Sequence, residues 1–466
     1  MASEALVINN VRMAARAPRM HTDDSLYRIE CSGGRVTSIS LSSESHGCLE
    51  DAPGPLIDAK GSLILPSYVL PSHPWPQIRS CGQTMPLSYS SRQGFILDRC
   101  ELMTGDFAEA LKVTNQAKAA FSREDLYMRG QKLIRDSIEC GVTSMRAHVE
   151  VDTTVELSCL TVGLELHKAL RNLCDIQIAA FAQEPLFDAP DTSEPGRNFS
   201  LLVQAAETPG INVIGSAPYV EPTLQQAKAN IALVLKLAQK HACHVDFHLD
   251  YNLDPGSEPL IYEVISQAKL LSWSNSLRIT IGHATRMQLF TTAQWGELVT
   301  AIDELPIIFV GLPQSDMYML GREGTGTLLG PPRSTLRIPY IANKYGLEVA
   351  MSVNNAQNAF TPQGSVDPLS LCTLGVALFQ SATAKDITTL LRSVTLTSKR
   401  AIGHTDVPGD LCISVNDPAD FVLLRGTIDL QSAVLNPSYD RTVIRRGVVV
   451  ARRHSAKWFA DMGSGQ

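Results

Sequence analysis

Histidines close three short apolar runs of the sequence, and acidic and phenolic residues follow one of them. His148, His248 and His283 each end such a run, and Asp250 and Tyr251 come just after His248. An imidazole beside a carboxylate is a general acid or base near neutral pH, and a tyrosine hydroxyl can donate a hydrogen bond to a developing oxyanion. His283, Tyr251, Asp250 and His248 are therefore the predicted catalytic residues.

A repeating pattern of strands and helices would have to position these side chains. β-branched runs alternate with segments of helical period, which is typical of a parallel sheet. Helices are predicted at 123–139, 154–171, 224–240 and 260–271. Strands are predicted near 69 and at 143–148, 176–181, 213–216, 245–248, 279–283, 307–310 and 349–352. Eight such strands predict a (β/α)8 TIM barrel, with chemistry at the C-terminal ends of the strands.

Both ends of the chain are predicted instead to form short strands separated by turns. The runs 5–8, 35–41, 62–65, 421–424 and 442–450 are apolar or alternating, with Gly447 as a bulge or turn candidate. The α/β fold is thus expected to add a small β-sandwich formed by both chain ends. The predicted division is 1–65 for the N-terminal part of the sandwich, 66–399 for the barrel and 400–466 for the C-terminal part.

The motifs around the histidines resemble the cytosine-deaminase branch of the amidohydrolase superfamily. They are Arg-Ala-His-Val-Glu-Val-Asp at 146–152, Asp-Phe-His-Leu-Asp at 246–250 and Gly-His-Ala-Thr at 282–285. The resemblance extends from about residue 7 to residue 452 and includes Gly-Gln at 82–83 and Asp-Pro-Ala-Asp-Phe at 417–421. It implies the same barrel and sandwich.

The resemblance also implies a single Fe or Zn ion, and the chain departs from its ligand pattern. The two histidines expected after strand one fall on Ser72 and Pro74, and the strand-eight aspartate falls on Asn354. The strand-five ligand remains as His248, whereas the family's proton-shuttling glutamate falls on Tyr251. Because a catalytic zinc usually has three protein ligands, no metal and no other cofactor is predicted.

The remaining pocket residues are assigned to substrate binding. The resemblance places a substrate-gripping glutamine at Gln183, while Trp75 and Tyr219 would form aromatic walls or simply pack. His73, His148 and Asn354 are placed beside them. Because successive strand residues point to opposite faces, His73 is expected to aim away from the ligand positions unless residues 71–74 form a bulge.

These assignments predict a metal-independent enzyme of the amidohydrolase type. Its acid/base residues would catalyse isomerisation, elimination or dehydration, or cyclisation of a small heterocyclic or carbonyl-containing metabolite, in a tailoring step of specialised metabolism. Two alternatives stay open. One is a hydrolase or deaminase of a cyclic C–N bond with a rebuilt or weakly held metal, and the other is a non-catalytic ligand-binding protein.

A purely structural role is open for several of the same residues. His248 would then be a hydrogen-bonded relic, Asp250 a cap for the loop that follows it, and Tyr251 a plug filling the space of the lost metal.

Composition limits the partners. The 466 residues are 44% hydrophobic and 19% charged, with a formal net charge of −7, so a nucleic-acid surface is not expected. No apolar run reaches the length of about 18 residues typical of a membrane span. The ten dispersed cysteines and the N-terminus predict a cytoplasmic protein without disulfides. The expected partner is a small-molecule substrate, with a homo-oligomer as a further possibility.

Overall fold

The structure is a computed structural model of the chain. It describes residues 5–14, 25–42, 55–74, 103–321, 332–362 and 364–459. Among the helices in these ranges, none is long and apolar enough to cross a membrane. Trp75, which was predicted to line the pocket, lies outside the described residues, as do the Gly-Gln residues at 82–83.

Eight parallel strands form the barrel, in sequence order around the sheet. They are β6 (Tyr68–Pro74), β7 (Val142–Glu150), β8 (Asp175–Ala182), β9 (Val213–Ser216), β10 (His244–Leu249), β11 (Ile279–His283), β12 (Ile307–Gly311) and β13 (Val349–Met351). Their residues are buried almost throughout, as expected for parallel strands covered on both faces. Ser352 Oγ donates to the carbonyl of Ser72 at 2.6 Å and accepts from its amide at 3.2 Å, which joins the last strand to the first. The predicted (β/α)8 barrel is confirmed.

Amphipathic helices surround these strands. They are α1 (Phe107–Lys118), α2 (Arg123–Glu139), α3 (Ser158–Leu170), α4 (Arg197–Ala206), α5 (Leu224–Lys240), α6 (Ile261–Leu270), α7 (Thr292–Ile302), α8 (Pro313–Met319), α9 (Ile338–Tyr345), α10 (Pro368–Phe379), α11 (Ala384–Val394) and α12 (Leu396–Ala401). In α5, the Thr223 side chain caps the first turn, and the apolar positions face the barrel. The bounds of α2 and α5 match the sequence prediction.

The two ends of the chain build a second sheet outside the barrel. Its strands are β1 (Leu6–Met13), β2 (Tyr27–Ser32), β3 (Arg35–Leu41), β4 (Leu56–Asp58), β5 (Leu63–Pro66), β14 (Phe421–Leu424), β15 (Arg441–Arg445) and β16 (Val448–Arg453), with α13 (Leu430–Leu435) between β14 and β15. β5 pairs antiparallel with β14, so both chain ends share one apolar core. This arrangement confirms the predicted small β-sandwich.

Residues 442–450 form a hairpin, and Gly447, the predicted bulge or turn candidate, lies in its turn. Arg446 and Gly447 both have positive φ, at 49° and 76°. Two consecutive left-handed residues are the geometry of a tight two-residue hairpin turn, which explains why β15 and β16 are separate strands.

A buried ion pair connects the sandwich to the barrel. The Arg441 guanidinium on β15 donates to both carboxylate oxygens of Asp367, each at 2.7 Å, and to the carbonyl of Cys140 at 2.6 Å. Asp367 caps α10, and Cys140 follows α2. This arginine therefore holds two barrel helices against a sandwich strand.

We predict that Arg441→Met lowers the free energy of unfolding by about 3–5 kcal/mol, because it leaves the Asp367 carboxylate without its main cationic partner. Urea denaturation of the purified protein measures the change. Lys132→Met removes the exposed Lys132–Asp136 pair and is the matched control, with an expected loss of less than about 1 kcal/mol. Equal losses for the two variants would contradict the role assigned to Arg441.

Candidate active site

Because parallel strands end on the same rim of the barrel, the predicted site residues converge there. The rings of His148, His248 and His283 form a continuous series: His148 and His248 have centroids 5.3 Å apart, and His248 and His283 are 5.0 Å apart. Tyr251 stacks on His283 at 3.9 Å, and Tyr219 lies 5.8 Å from Tyr251. The structure thus brings five of the predicted residues into one cluster.

His148 is buried, with a hydrogen bond at one ring nitrogen and a carboxylate near the other. Its Nδ1 accepts from the backbone amide of His73 at 3.2 Å, so the neutral ring has its proton on Nε2. That nitrogen lies 3.2 Å from Asp246 Oδ2, which also accepts from Arg146 Nη1 at 2.7 Å. Burial alone would raise the pKa of Asp246. The nearby His148 and Arg146 have the larger combined effect and lower the pKa of this carboxyl to about 2.

His248 packs directly against the neighbouring strand. A Cβ added at Gly282 would lie 2.6 Å from its Cδ2 atom, so the ring requires glycine in the Gly-His motif. Its Nε2 lies 3.2 Å from Ser72 Oγ and 3.8 Å from Asp246 Oδ1. Burial, together with the nearby His283 and His148, lowers the pKa of His248 well below its ordinary value. The ring is therefore neutral at physiological pH.

His73 is placed by an irregularity in the first barrel strand. The pairing of β6 with β7 shifts register between Leu70 and His73, which is the bulge that the sequence analysis considered. The side chain of Ser72 contacts His248, whereas His73 Nδ1 donates to the backbone carbonyl of Asn354. Burial lowers the pKa of His73 to about 4. Asn354 itself has left-handed backbone, with φ 60°.

Asp250 faces away from His248 and towards the helix that follows. Its carboxylate oxygens accept from the backbone amides of Leu260 and Ile261, at 2.8 and 3.2 Å, in the first turn of α6. Its own carbonyl accepts from the amide of Arg286 at 2.9 Å. Both carboxylate oxygens are thus occupied by the backbone, which favours the capping role over the catalytic one.

Asp316, which was not among the predicted site residues, contacts His283. Asp316 Oδ1 lies 2.7 Å from His283 Nδ1, and Asp316 Oδ2 accepts from Thr335 Oγ1 at 2.7 Å. Asp316 lies in α8, just after the seventh strand, and is fully buried. Residues 313–322, after the seventh strand, belong to the resemblance, but Asp316 is far from His283 along the chain and nothing local pairs the two.

A second network that was missed lies beside the substrate residues. The buried Lys118 at the end of α1 has its Nζ 2.7 Å from Glu150, 3.1 Å from Asp152 and 3.2 Å from Glu184. Burial disfavours the ammonium, but the three carboxylates outweigh it and raise the pKa of Lys118. This network holds α1 against the ends of β7 and β8.

The proposed substrate residues share one side of the rim. Gln183 Nε2 donates to the hydroxyl of Tyr219 at 3.4 Å, and burial raises the pKa of that phenol to about 12. The ring of Phe107, in α1, packs edge-on against Tyr219 at 6.4 Å. A flat ligand bound here would have aromatic surface on one side and an amide group at its edge.

The positions where the resemblance places metal ligands do not fit a dication. Ser72 and His248 hydrogen-bond to each other, position 74 is a proline without a side-chain donor atom, and Asn354 offers a neutral oxygen. Only one imidazole of the expected ligand set therefore remains.

A different group has ligand-like spacing, in the described part of the chain. Atoms of His148, Asp246 and His248 lie within 4.8 Å of one another. Among the described residues, Asp246 Oδ1 and His148 Nε2 have no hydrogen-bond partner. His148 nevertheless fits poorly as a ligand, because its Nδ1 accepts from the His73 amide and the proton of the neutral ring is therefore on Nε2. A zinc ligand would have to present a lone pair at that nitrogen.

The chain is similar to known enzymes over nearly its whole length. It is 21% identical to the N-isopropylammelide isopropyl amidohydrolase of Pseudomonas sp. strain ADP, over 96% of this chain and 97% of the relative. Crystal structures of 5-methylcytosine deaminase from Klebsiella pneumoniae match it as well. The one liganded with 5-fluorocytosine has TM-score 0.81 and 22% identity, over 98% of this chain and 100% of that chain. Another was solved with phosphonocytosine.

A third match is N-isopropylammelide isopropylaminohydrolase from Burkholderia multivorans. It has TM-score 0.71 and 21% identity, over 96% of this chain and 98% of that chain. No protein-family model matches the sequence. The chain shares the fold of these deaminases and amidohydrolases, and the predicted resemblance to proteins of this kind is confirmed.

The predicted metal-independent isomerisation, elimination or cyclisation is wrong. The similar proteins are named as hydrolases and deaminases, and a triazine hydrolase variant also shares the fold, with TM-score 0.64 and 14% identity. A role in specialised metabolism has no support among them. The hydrolase or deaminase alternative agrees better with these relatives.

The capping role of Asp250 at the start of α6 can be tested by substitution. We predict that Asp250→Ala lowers the free energy of unfolding by about 1–3 kcal/mol, because two amides at the start of α6 lose their acceptor. Asp250→Asn keeps one acceptor oxygen and should lose less. Thermal and urea denaturation measure both, and wild-type stability of the alanine variant would contradict the capping role.

Proposed function

We propose that the protein hydrolyses an exocyclic C–N bond of a small nitrogen heterocycle, releasing ammonia or an alkylamine. The observation that supports this most directly is the match over at least 96% of both chains to an N-isopropylammelide amidohydrolase and to a 5-methylcytosine deaminase. Both relatives are named for removing a nitrogen group from such a compound. Retention of the pocket's polar and aromatic residues agrees with a substrate of that chemistry.

Gln183 and Tyr219 would orient the ring of the substrate. A carboxamide offers a donor and an acceptor side by side, which matches the amide-like edge of a pyrimidine or triazine. Tyr219 holds the Gln183 side chain in place through their hydrogen bond. The rings of Tyr251 and Tyr219 then provide aromatic surface for the flat substrate.

His283 is the residue best suited to move the protons of hydrolysis. As water forms a bond to the ring carbon, one of its protons would pass to His283 Nε2, and the same proton would leave with the amine as the C–N bond breaks. The other three imidazoles suit this task less well. His148 accepts a hydrogen bond at Nδ1 and faces Asp246 with Nε2, while the pKa values of His73 and His248 are lowered by burial.

The resemblance implies that a bound Fe or Zn would activate the attacking water in such an enzyme. Since the expected ligand positions do not fit, the assay should supply both ions and should also be run with a chelator. The comparison then measures any contribution of an ion separately from that of His283.

The test is release of ammonia or isopropylamine from cytosine, 5-methylcytosine and N-isopropylammelide. We expect turnover of at least one of them by the wild-type protein and a loss of about 10²–10⁴-fold in kcat for His283→Gln. Tyr262→Phe, on the outer helix α6, is the control and should keep wild-type activity. Failure to release an amine from any of the three under every metal condition would contradict the proposed function.

Ligand binding without turnover is the second candidate, and one observation favours it. Ser72 and His248 contact each other directly at the position where the resemblance expects a metal, and Tyr251 stands where it expects the proton-shuttling glutamate. Calorimetric binding of the same three compounds, without any amine release, would support this candidate instead.

A further inference from the structure

Two buried histidine–carboxylate pairs lie at the ends of the barrel strands, and they differ in what surrounds the two ring nitrogens of the histidine. In the first, His148 accepts from a backbone amide on one nitrogen and faces Asp246 with the other. In the second, His283 contacts Asp316 through Nδ1. Within the described ranges, no hydrogen-bond partner is found for its Nε2. The second pair is therefore the one arranged for chemistry.

The backbone turns sharply at this histidine. His283 and Ala284 both have left-handed backbone, with φ 64° and 51°, although neither is glycine. Such strained conformations persist only where the surroundings hold them. Here the amide of Ala284 donates to the carbonyl of Leu249 at 3.1 Å, and the amide of Arg286 donates to that of Asp250. The end of β11 is thus anchored to the end of β10.

The ring of His283 is fixed on its other sides by packing. Tyr251 stacks on it with an interplanar angle of 32°, and His248 meets it edge-on at 88°. Asp316 is held in turn, because its second oxygen accepts from Thr335 and its amide donates to the carbonyl of Leu312. Neither the ring nor the carboxylate is free to rotate.

We propose that Asp316 is a positioning residue that holds His283 as the tautomer protonated on Nδ1, which leaves the Nε2 lone pair for proton transfer. Asp316 Oδ2 already accepts from Thr335, and an ionised carboxylate can only accept, so an ionised Asp316 places the hydrogen between the two side chains on Nδ1. The catalytic use of that lone pair rests on the proposed function, whereas the tautomer itself does not.

Nitrogen-15 NMR of the histidine rings tests the tautomer without any substrate. Spectra are recorded at about pH 8.5, where an ordinary imidazole is neutral, and the His283 signals are identified by their loss in His283→Gln. In the wild-type protein we expect the Nδ1 shift of a protonated nitrogen and the Nε2 shift of an unprotonated one. The opposite pattern would overturn the proposal, whatever the variants show.

The Asp316→Asn variant provides a second test of the His283 tautomer. The new amide group can donate to Nδ1 while its oxygen still accepts from Thr335, so we expect the His283 proton to move to Nε2. An unchanged His283 tautomer in a variant with a native circular dichroism spectrum would overturn the proposal. The signals of His167, whose Nδ1 bonds to the carbonyl of Ile176 far from Asp316, should not move and are the internal control.

If one of the compounds is hydrolysed, steady-state kinetics test the positioning role of Asp316 separately from the proposed hydrolysis. Placing the proton on the wrong nitrogen should lower kcat of Asp316→Asn by about 10²–10⁴-fold with little change in KM. An equal rise in KM with kcat unchanged would mean that Asp316 acts on binding, and would overturn its positioning role. If no compound is hydrolysed but both NMR results hold, the proposed function fails and the positioning role of Asp316 stands.

Discussion

The buried Asp246–Arg146 ion pair is the interaction on which the centre of the barrel depends. Arg146 donates to Asp246 on β10, to Thr280 on β11 and to Gln177 on β8, at 2.7 Å in each case, and to the carbonyl of Ala401. One guanidinium therefore joins four strands and the last helix of the barrel. A buried arginine with so many partners is costly to remove, because each partner would lose its donor.

The same carboxylate begins a chain of contacts that passes through two histidines. Asp246 faces His148 Nε2, and His148 then accepts the amide of His73, whose ring bonds to the carbonyl of Asn354. This chain of contacts runs from the fifth strand through the second and first strands to the end of the eighth. The His283–Asp316 pair lies outside it.

Much of the fold could be predicted from local patterns. The bounds of α2 and α5 followed from the helical period of the sequence, and eight β-branched runs predicted the barrel strands. The short strands β2 and β4 were missed, since their patterns are weak and their pairing with β1 is set by distant residues.

The site was harder to predict, because its contacts join distant parts of the chain. Motif order identified His148, His248 and His283 as neighbours, but no local pattern shows that Asp316 contacts one of them. The direction of the Asp250 carboxylate also depends on where α6 begins. The predicted reaction was wrong because missing ligands at three positions were taken to mean different chemistry, whereas similarity over the whole chain pointed to hydrolysis.

A crystal structure of the protein with phosphonocytosine, the ligand of one similar deaminase, tests the central claim most directly. We expect the compound to bind at the C-terminal ends of the strands, with its ring edge on Gln183 and a phosphonyl oxygen within hydrogen-bond distance of His283 Nε2. A ligand bound there with His283 turned away from it, or bound only elsewhere on the molecule, would contradict the account.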